Sequence, residues 1–198
     1  MKKLICAVLA VCVLAGIGCA FASEEPDVIT YTGSGDDVIE IEPQEGYVFH
    51  ITGNEAGNYF GVIPYDENDD RCTSLVNTTE PYDGVTFCKD FKARSLEIKA
   101  VGEWTVELIP VESLPTIDVG ETLSGTGDAV IRIIGAGTSA KITGNSSGDY
   151  FGVVPFREDG SRMTSIVNTT DPYEGTVKLK KGAEYLVINA VGDWSITL

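Results

Sequence analysis

The chain has 198 residues, of which 22% are charged, and its formal net charge is −16 at pH 7. This acidity excludes nucleic acid as an expected partner, because nucleic-acid binding depends on cationic side chains that neutralise phosphates. An excess of negative charge instead favours solubility and repulsion between molecules outside the cell.

Residues 1–22 predict a secretory signal peptide. Its parts are a basic start at Lys2 and Lys3, an apolar segment from Leu4 to Ile17, and a small-x-small cleavage pattern at Ala20-Phe21-Ala22. The apolar segment is short for a membrane span of ~20 residues. We therefore expect a secreted, extracellular protein that is cleaved after Ala22 and has no transmembrane segment after signal removal. The alternative is a lipoprotein anchored at Cys19, because Gly16 to Cys19 loosely resembles a lipobox.

An internal duplication organises the rest of the chain. The run from Thr73 to Gly84 returns as Thr164 to Gly175, 91 positions later. Further matches pair Gly33–Asp36 with Gly125–Asp128, Ile51–Asn54 with Ile142–Asn145, Tyr59–Val62 with Tyr150–Val153, and Ala100–Trp104 with Ala190–Trp194. We interpret a residue present in both repeats as part of a common folded unit, and a residue present in one repeat as private to it.

The pattern of short β-type runs predicts an all-β fold. Gly, Asn, Asp and Pro interrupt these runs about every 8 to 12 residues, and no amphipathic run is long enough for a helix. Because about eight strands in each repeat must close as two packed sheets or a barrel, we predict two tandem antiparallel β-sandwich domains of the jelly-roll or immunoglobulin-like kind. The predicted organisation is a signal peptide at 1–22, an acidic spacer at 23–27, a first repeat at 28–109, a stiff Pro-bracketed linker at 110–116, and a second repeat at 117–198.

Alternation along the strands predicts which side chains face the core. Trp104, Val106 and Leu108 are expected inward in the last strand of the first repeat, while His50 is expected outward on an earlier strand. The strands are predicted near 28–32, 37–42, 46–52, 58–65, 71–77, 85–89, 94–100 and 103–109, and in the second repeat near 117–123, 129–134, 138–143, 149–156, 162–168, 176–180, 184–190 and 193–198.

The run from Tyr59 to Tyr65 is apolar on both faces, and the second repeat has the same pattern from Tyr150 to Phe156. Either this strand is covered on both sides, or one face carries an exposed aromatic stripe. The candidate binding residues are Tyr59, Tyr65, Tyr150 and Phe156. Exposed rings of this kind are suited to stacking on sugars or docking an extended partner, and we expect partial exposure.

Cys72 and Cys88 are the cysteines that follow the signal peptide, and the second repeat contains neither. In an exported chain, their joint presence in one repeat favours a disulfide over two buried thiols. In the chain-entropy model, closing a loop of about 16 residues contributes roughly 3 kcal/mol.

Catalytic residues and cofactors are not predicted. His50 is the only histidine of the chain and is replaced by Lys141 in the second repeat, so a Ser/His/Asp triad is excluded. A structural Ca²⁺ is the remaining metal alternative, because Asp66, Asn68 and Asp70 alternate as oxygen ligands would. Arg71 follows, however, where an EF-hand loop requires glycine.

Three shared patterns resemble the secreted bacterial β-sandwich repeats, including the pre-peptidase C-terminal type. They are Gly-x-Gly-Asp at Gly33 and Gly125, Phe-Gly-Val-x-Pro at Phe60 and Phe151, and a late Gly-x-Trp strand at Gly102 and Gly192. The resemblance implies a non-catalytic accessory domain and carries over no site residue.

We therefore predict a secreted or cell-surface, non-catalytic binding or structural module whose ligand is an extracellular glycan or protein. One alternative is a carbohydrate-binding protein that uses an aromatic face on each domain. The other is an accessory domain pair of an extracellular enzyme system.

Overall fold

The structure is a computed structural model that describes residues 27–42 and 45–198. Across these ranges it has 17 strands in four sheets and two short 3₁₀ turns, at Lys89–Phe91 and Val111–Ser113. No helix in this part of the chain is long and apolar enough to cross a membrane. The predicted signal peptide, its cleavage site and Cys19 lie outside the described residues.

The first repeat folds as two packed antiparallel sheets. Its strands are β1 (Ile29–Ser34), β2 (Asp37–Glu40), β3 (Tyr47–Gly53), β4 (Phe60–Tyr65), β5 (Val76–Thr78), β6 (Tyr82–Thr86), β7 (Ser95–Lys99) and β8 (Glu103–Pro110). What we name the front sheet has the order β1-β8-β3-β6, and the back sheet has the order β2-β7-β4-β5.

The second repeat has the corresponding two sheets. Its strands are β9 (Thr116–Ile117), β10 (Thr122–Thr126), β11 (Ala129–Ile133), β12 (Ser139–Gly144), β13 (Phe151–Phe156), β14 (Val167–Thr169), β15 (Tyr173–Lys178), β16 (Tyr185–Ala190) and β17 (Asp193–Thr197). The front sheet is β10-β17-β12-β15 and the back sheet is β14-β13-β16-β11-β9, in which only the short β9 pairs in parallel. The all-β, antiparallel sandwich prediction is confirmed.

Each sandwich encloses its own apolar core, built as the alternation predicts. Trp104, Val106 and Leu108 are buried between the sheets of the first repeat, and Trp194 and Ile196 are buried in the second. The two tryptophans close the cores in the same way. The indole N–H of Trp104 donates to the carbonyl of Gly35 at 3.0 Å, and that of Trp194 donates to Gly127 at 3.0 Å.

A third apolar cluster lies between the two sandwiches. Its buried members are Val48, Phe87, Phe91, Val111, Leu114, Val130, Val154, Phe156, Tyr185 and Val187. The ring of Phe87 lies 4.7 Å from that of Phe156 and 5.6 Å from that of Tyr185, measured between centroids. The outer face of the first front sheet therefore packs on the outer face of the second back sheet, and the linker residues Val111 and Leu114 are part of this contact rather than an exposed spacer.

Polar contacts reinforce the interface between the repeats. The backbone N–H of Val85 donates to the carbonyl of Asp128 at 3.0 Å, and the N–H of Asp90 donates to the carbonyl of Gly160 at 2.8 Å. The hydroxyl of Tyr82 donates to Oδ2 of Asp128 at 2.9 Å. These directional hydrogen bonds favour one orientation of the first front sheet on the second back sheet, which apolar contacts alone would specify less well.

Candidate binding site

The predicted aromatic residues occupy different environments in the two repeats. Tyr59 and Tyr150 are 49% and 48% exposed. Tyr65 is half-buried, and its hydroxyl donates to Oε2 of Glu97 at 2.9 Å. Phe156 is only 5% exposed, because the first repeat covers it. The structure therefore does not bring these side chains into two equal exposed stripes.

A row of hydroxyl side chains crosses the outer face of the first front sheet. The cross-strand pairing places Thr32 beside Thr105, Thr105 beside Thr52, and Thr52 beside Asp83. Their neighbours along each strand point into the core, so alternation turns these four side chains outward. The row thus ends in a carboxylate at the edge strand β6.

The second front sheet carries the same row. Here the pairing aligns Ser124, Ser195, Thr143 and Glu174, again three hydroxyls followed by a carboxylate. Serine replaces threonine at two positions and glutamate replaces aspartate at the end. Both rows therefore carry the same functional groups, although three of the four residues differ.

A cleft lies over the row in each repeat. The first-repeat cleft has a volume of about 670 Å³ and is lined by Thr52, Thr105, Asp83, Glu103 and Glu55, with Pro81 and Tyr82 at one wall. The second-repeat cleft has a volume of about 810 Å³ and is lined by Ser124, Ser195, Thr143, Glu174 and Asp193, with Pro172 and Tyr173 at the corresponding wall. No lysine, arginine or histidine lines either cleft.

Close packing holds the clefts in shape. A Cβ at Gly53 would lie 2.9 Å from the Phe60 ring, and one at Gly144 would lie 2.6 Å from the Phe151 ring. Only glycine fits at this point in both sheets. Gly53 and Gly144 also line the clefts, so backbone without a side chain lies beside the hydroxyl row at this point.

The tyrosine at the cleft wall differs between the repeats in its hydroxyl partner. The hydroxyl of Tyr82 donates to the Asp128 carboxylate of the second repeat. Burial raises the pKa of Asp128 above its ordinary value, although hydrogen bonds from the Ala190 N–H and the Tyr82 hydroxyl act in the other direction. Tyr173 has no hydroxyl partner within the described part of the chain.

His50 lies outside the clefts, on the outer face of the front sheet. Its Nε2 is 2.7 Å from Oδ1 of Asp83, and its Nδ1 is 2.8 Å from Oε2 of Glu107. Burial alone would lower the pKa of His50, but the hydrogen bonds and charges of the two carboxylates outweigh it and raise that pKa. In the second repeat Lys141 pairs with Glu174 at 3.2 Å, so a basic side chain beside the carboxylate is common to both sheets.

The acidic hairpin considered for calcium is held by its own backbone. Oδ1 of Asp66 accepts the N–H groups of Asn68 and Asp70 at 2.9 and 3.1 Å. In the second repeat Oδ1 of Asp159 accepts the N–H of Ser161 at 2.9 Å. Among the residues that the structure describes, no group of three or more His, Cys, Asp or Glu side chains is placed to hold a metal ion.

The sequence predicts the aromatic candidates but not the clefts. A usable signal was present, because Thr52 belongs to a shared segment, Thr105 directly follows one and has a serine as its counterpart, and both alternate with core residues. An outward residue that keeps its chemistry in both repeats is not explained by the core. What the sequence does not reveal is that four such residues align in one row, which depends on strand order.

Comparisons with known proteins identify no relative. No family model matches the chain, and no curated protein matches it. The regulatory subunit of a cAMP-independent protein kinase A from Trypanosoma cruzi, bound to guanosine, is 8% identical over 86% of this chain and 71% of that chain, with a TM-score of 0.24. The subunit from Trypanosoma brucei is 7% identical over 86% and 71%, also at 0.24, and the cAMP-bound PfPKA-R is 11% identical over 86% and 70%, at 0.23. Likeness at this level carries no argument about fold or function.

Proposed function

We propose that the protein is a secreted or cell-surface, non-catalytic binding module, and that each repeat binds a neutral, hydroxyl-rich ligand such as a glycan in the cleft of its front sheet. The observation that carries the proposal is the recurrence of one cleft, with one chemistry, in both repeats. The core explains the shared glycines and tryptophans. It does not explain the outward hydroxyl row.

The chemistry of the clefts favours a polyol over an anion. Hydroxyl groups both donate and accept, and carboxylates accept hydrogen bonds from sugar hydroxyls. The proline and tyrosine at one wall offer an apolar edge for the faces of a sugar ring. Asp83 and Glu103 in one cleft, and Glu174 and Asp193 in the other, would repel sulfated or uronic-acid-rich chains.

A binding role fits the clefts better than a catalytic one. Neither cleft is lined by an imidazole or a thiol. The five carboxylates that line the two clefts are exposed, whereas a general acid for glycoside hydrolysis needs a buried, apolar setting that keeps it protonated. Two sites on one chain gain avidity for an extended ligand that reaches both.

A glycan array of neutral, amino-bearing and sulfated oligosaccharides, probed with the exported chain, tests the proposal. We expect binding to neutral or amino sugars only. The pair Thr52→Val and Glu103→Gln should weaken it, and adding Thr143→Val and Asp193→Asn should abolish it, while Glu158→Gln on a distant hairpin serves as the control. Binding that survives all four changes, or that is lost only with Tyr59→Ala and Tyr150→Ala, would rule out the clefts as the site.

Export is part of the proposal, because a signal peptide is predicted at 1–22. The intact mass of the mature protein should correspond to cleavage after Ala22. A mass that shows a diacylglyceryl group on Cys19 would instead make the protein a lipoprotein.

We also propose that Cys72 and Cys88 form a disulfide in the exported protein. The structure contains them as thiols within hydrogen-bonding reach of each other. Burial, with the neighbouring Cys72, raises the pKa of the Cys88 thiol to about 11, so labelling must be performed on denatured, unreduced protein. Two labelled cysteines would contradict the disulfide.

A further inference from the structure

Docking of the two repeats leaves one face open on each repeat. The first front sheet packs on the second back sheet, so the first back sheet and the second front sheet remain uncovered at opposite ends of the pair. Each open face has the strand order of a face that is already docked. The same geometry can therefore, in principle, be repeated between molecules.

The open faces carry opposite charges where the docked faces are apolar. Phe87, which packs on Phe156, corresponds to Lys178 in the second front sheet. The segment that follows Lys178 carries two further exposed lysines, Lys180 and Lys181. The open second front sheet thus presents a cluster of three lysines beside β15, on a chain with only 14 lysines and arginines.

The opposite open face presents the acidic hairpin. Gly160, whose carbonyl accepts the Asp90 N–H across the interface, corresponds to Asp69 in the hairpin Asp66 to Asp70. The loop that contains Asp90 corresponds to the loop that contains Lys180 and Lys181, where the offset between the repeats changes from 91 to 90. Repeating the internal contact between two molecules would therefore bring this lysine-bearing loop of one chain to the acidic hairpin of the next.

Other contacts have counterparts as well. Phe156 corresponds to Tyr65, so Lys178 would lie on the Tyr65 ring, where a lysine stem packs and its ammonium gains a cation–π contact. The pair Tyr82 and Asp128 corresponds to Tyr173 and Asp36. Val38, at 65% exposure, occupies the place of the buried Val130.

We propose that a second copy of this chain docks head to tail. The tail is the lysine-bearing second front sheet of one molecule, and the head is the first back sheet of the next molecule, with its acidic hairpin. A contact between two different faces does not close on itself in a dimer, so it produces open chains of molecules or a ring. Exposed charge pairs are screened beyond a Debye length of about 10 Å at 0.1 M salt, so this association is weak and salt-sensitive.

The negative net charge of the chain opposes self-association. At −16 two copies repel each other in general. Self-association that strengthens as salt is lowered therefore requires specific faces of opposite sign, because general repulsion also strengthens at low salt.

Sedimentation velocity of the exported chain over a range of concentrations and salt tests the proposal. The tail variant carries Lys178→Glu and Lys181→Glu, and the head variant carries Glu67→Lys and Asp70→Lys. None of these four side chains makes a hydrogen bond or ion pair within the described residues, so both variants are expected to keep the melting temperature of the parent. Arg162→Glu, away from both faces, is the control for a change of charge.

We expect concentration-dependent association of the parent at low salt and its loss in each variant alone. Mixing the two variants should restore association, because the unchanged lysine tail of the head variant meets the unchanged acidic head of the tail variant, and the acidic tail meets the basic head. Arg162→Glu should associate as the parent does. A parent that stays monomeric at low salt, a tail variant that still associates, or a mixture that fails to restore association would each overturn the proposal.

Discussion

In the first repeat Trp104 lies over Gly33 and donates to Gly35, and in the second Trp194 lies over Gly125 and donates to Gly127. On the outer faces of the sheets, by contrast, corresponding residues of the two repeats differ in burial. Val48 is buried in the interface while its counterpart Ser139 is exposed. The shared residues build two equal sandwiches, and the private residues decide which faces of these sandwiches meet.

An asparagine shared by both repeats makes the same internal contacts in each. Asn54 and Asn145 both have positive φ, 64° and 61°. Both are buried, and their amides donate to the carbonyls of Glu80 and Asp171. By contrast, Val187 of the second back sheet packs in the interface, and its counterpart Glu97 in the first back sheet accepts from Tyr65. Internal contacts are the same in both repeats, whereas external contacts have diverged.

The largest expected effect is the loss of a ring from the contact between the two repeats. Phe156→Ala removes such a buried ring and should cost about 3–5 kcal/mol of unfolding free energy. Its counterpart Tyr65→Ala, on the open face, should cost only about 1 kcal/mol. Urea unfolding monitored by circular dichroism measures both. Equal losses would mean that the two faces are equally covered.

The predicted disulfide should stabilise the first repeat alone. Reduction should cost roughly 3 kcal/mol for a loop of this length. Melting temperatures with and without reductant measure the loss, and the double variant Cys72→Ala and Cys88→Ala should not respond to reductant. A parent whose melting temperature ignores reductant would show that no bond had formed.

Glycines under the tryptophans should respond equally in the two repeats. A Cβ at Gly33 would lie 2.2 Å from the Trp104 ring, and one at Gly125 would lie 2.5 Å from the Trp194 ring. Gly33→Ala and Gly125→Ala should therefore each cost about 1–3 kcal/mol through overpacking. Gly102→Ala, with no atom within 4 Å of the new methyl group, is the control. Tolerance at one tryptophan and not at the other would contradict the equivalence of the cores.

The smallest expected effect is a pH dependence confined to the first repeat. The raised pKa of His50 means that the folded state binds its proton more tightly than the unfolded state. Its stabilisation is therefore complete below the unfolded value of about 6.5 and is lost as pH rises through the higher folded value. An NMR titration of the imidazole gives the folded pKa directly, and His50→Gln should remove this component from the stability profile. A titration at or below the ordinary value would refute the carboxylate pairing.

Alternation was sufficient to predict the inward faces of strands such as β8, because each side chain there meets only its own core. It could not predict what covers the outward faces. His50 is expected outward, and alternation puts Val48 on the same face of β3. Val48 is nevertheless fully buried and His50 is not, since only Val48 lies under the second repeat. The two-sided run at Tyr150 to Phe156 left the same question open.

Strand ends were less predictable than faces. β6 and β15 begin at Tyr82 and Tyr173, before the predicted positions 85 and 176. The acid and glycine in these segments favour a turn, but pairing of Tyr82 with Gly53, and of Tyr173 with Gly144, extends the strands. Tertiary pairing overrides local β propensity here. The clefts depend on this pairing, which explains why the sequence did not reveal them.

Private apolar residues join the two similar sandwiches, and we predict that this contact makes them one cooperative unit. Each repeat contains one tryptophan, so Trp104→Phe and Trp194→Phe leave a fluorescent reporter in one repeat at a time. Urea unfolding followed by the remaining tryptophan is predicted to give coincident transitions in both variants, and the addition of Phe87→Lys, which installs the residue found in the second repeat, is predicted to separate them. Circular dichroism gives the stability change that each Trp→Phe substitution causes by itself. If the two transitions differ by more than this change while Phe87 is in place, the two repeats do not unfold as one cooperative unit.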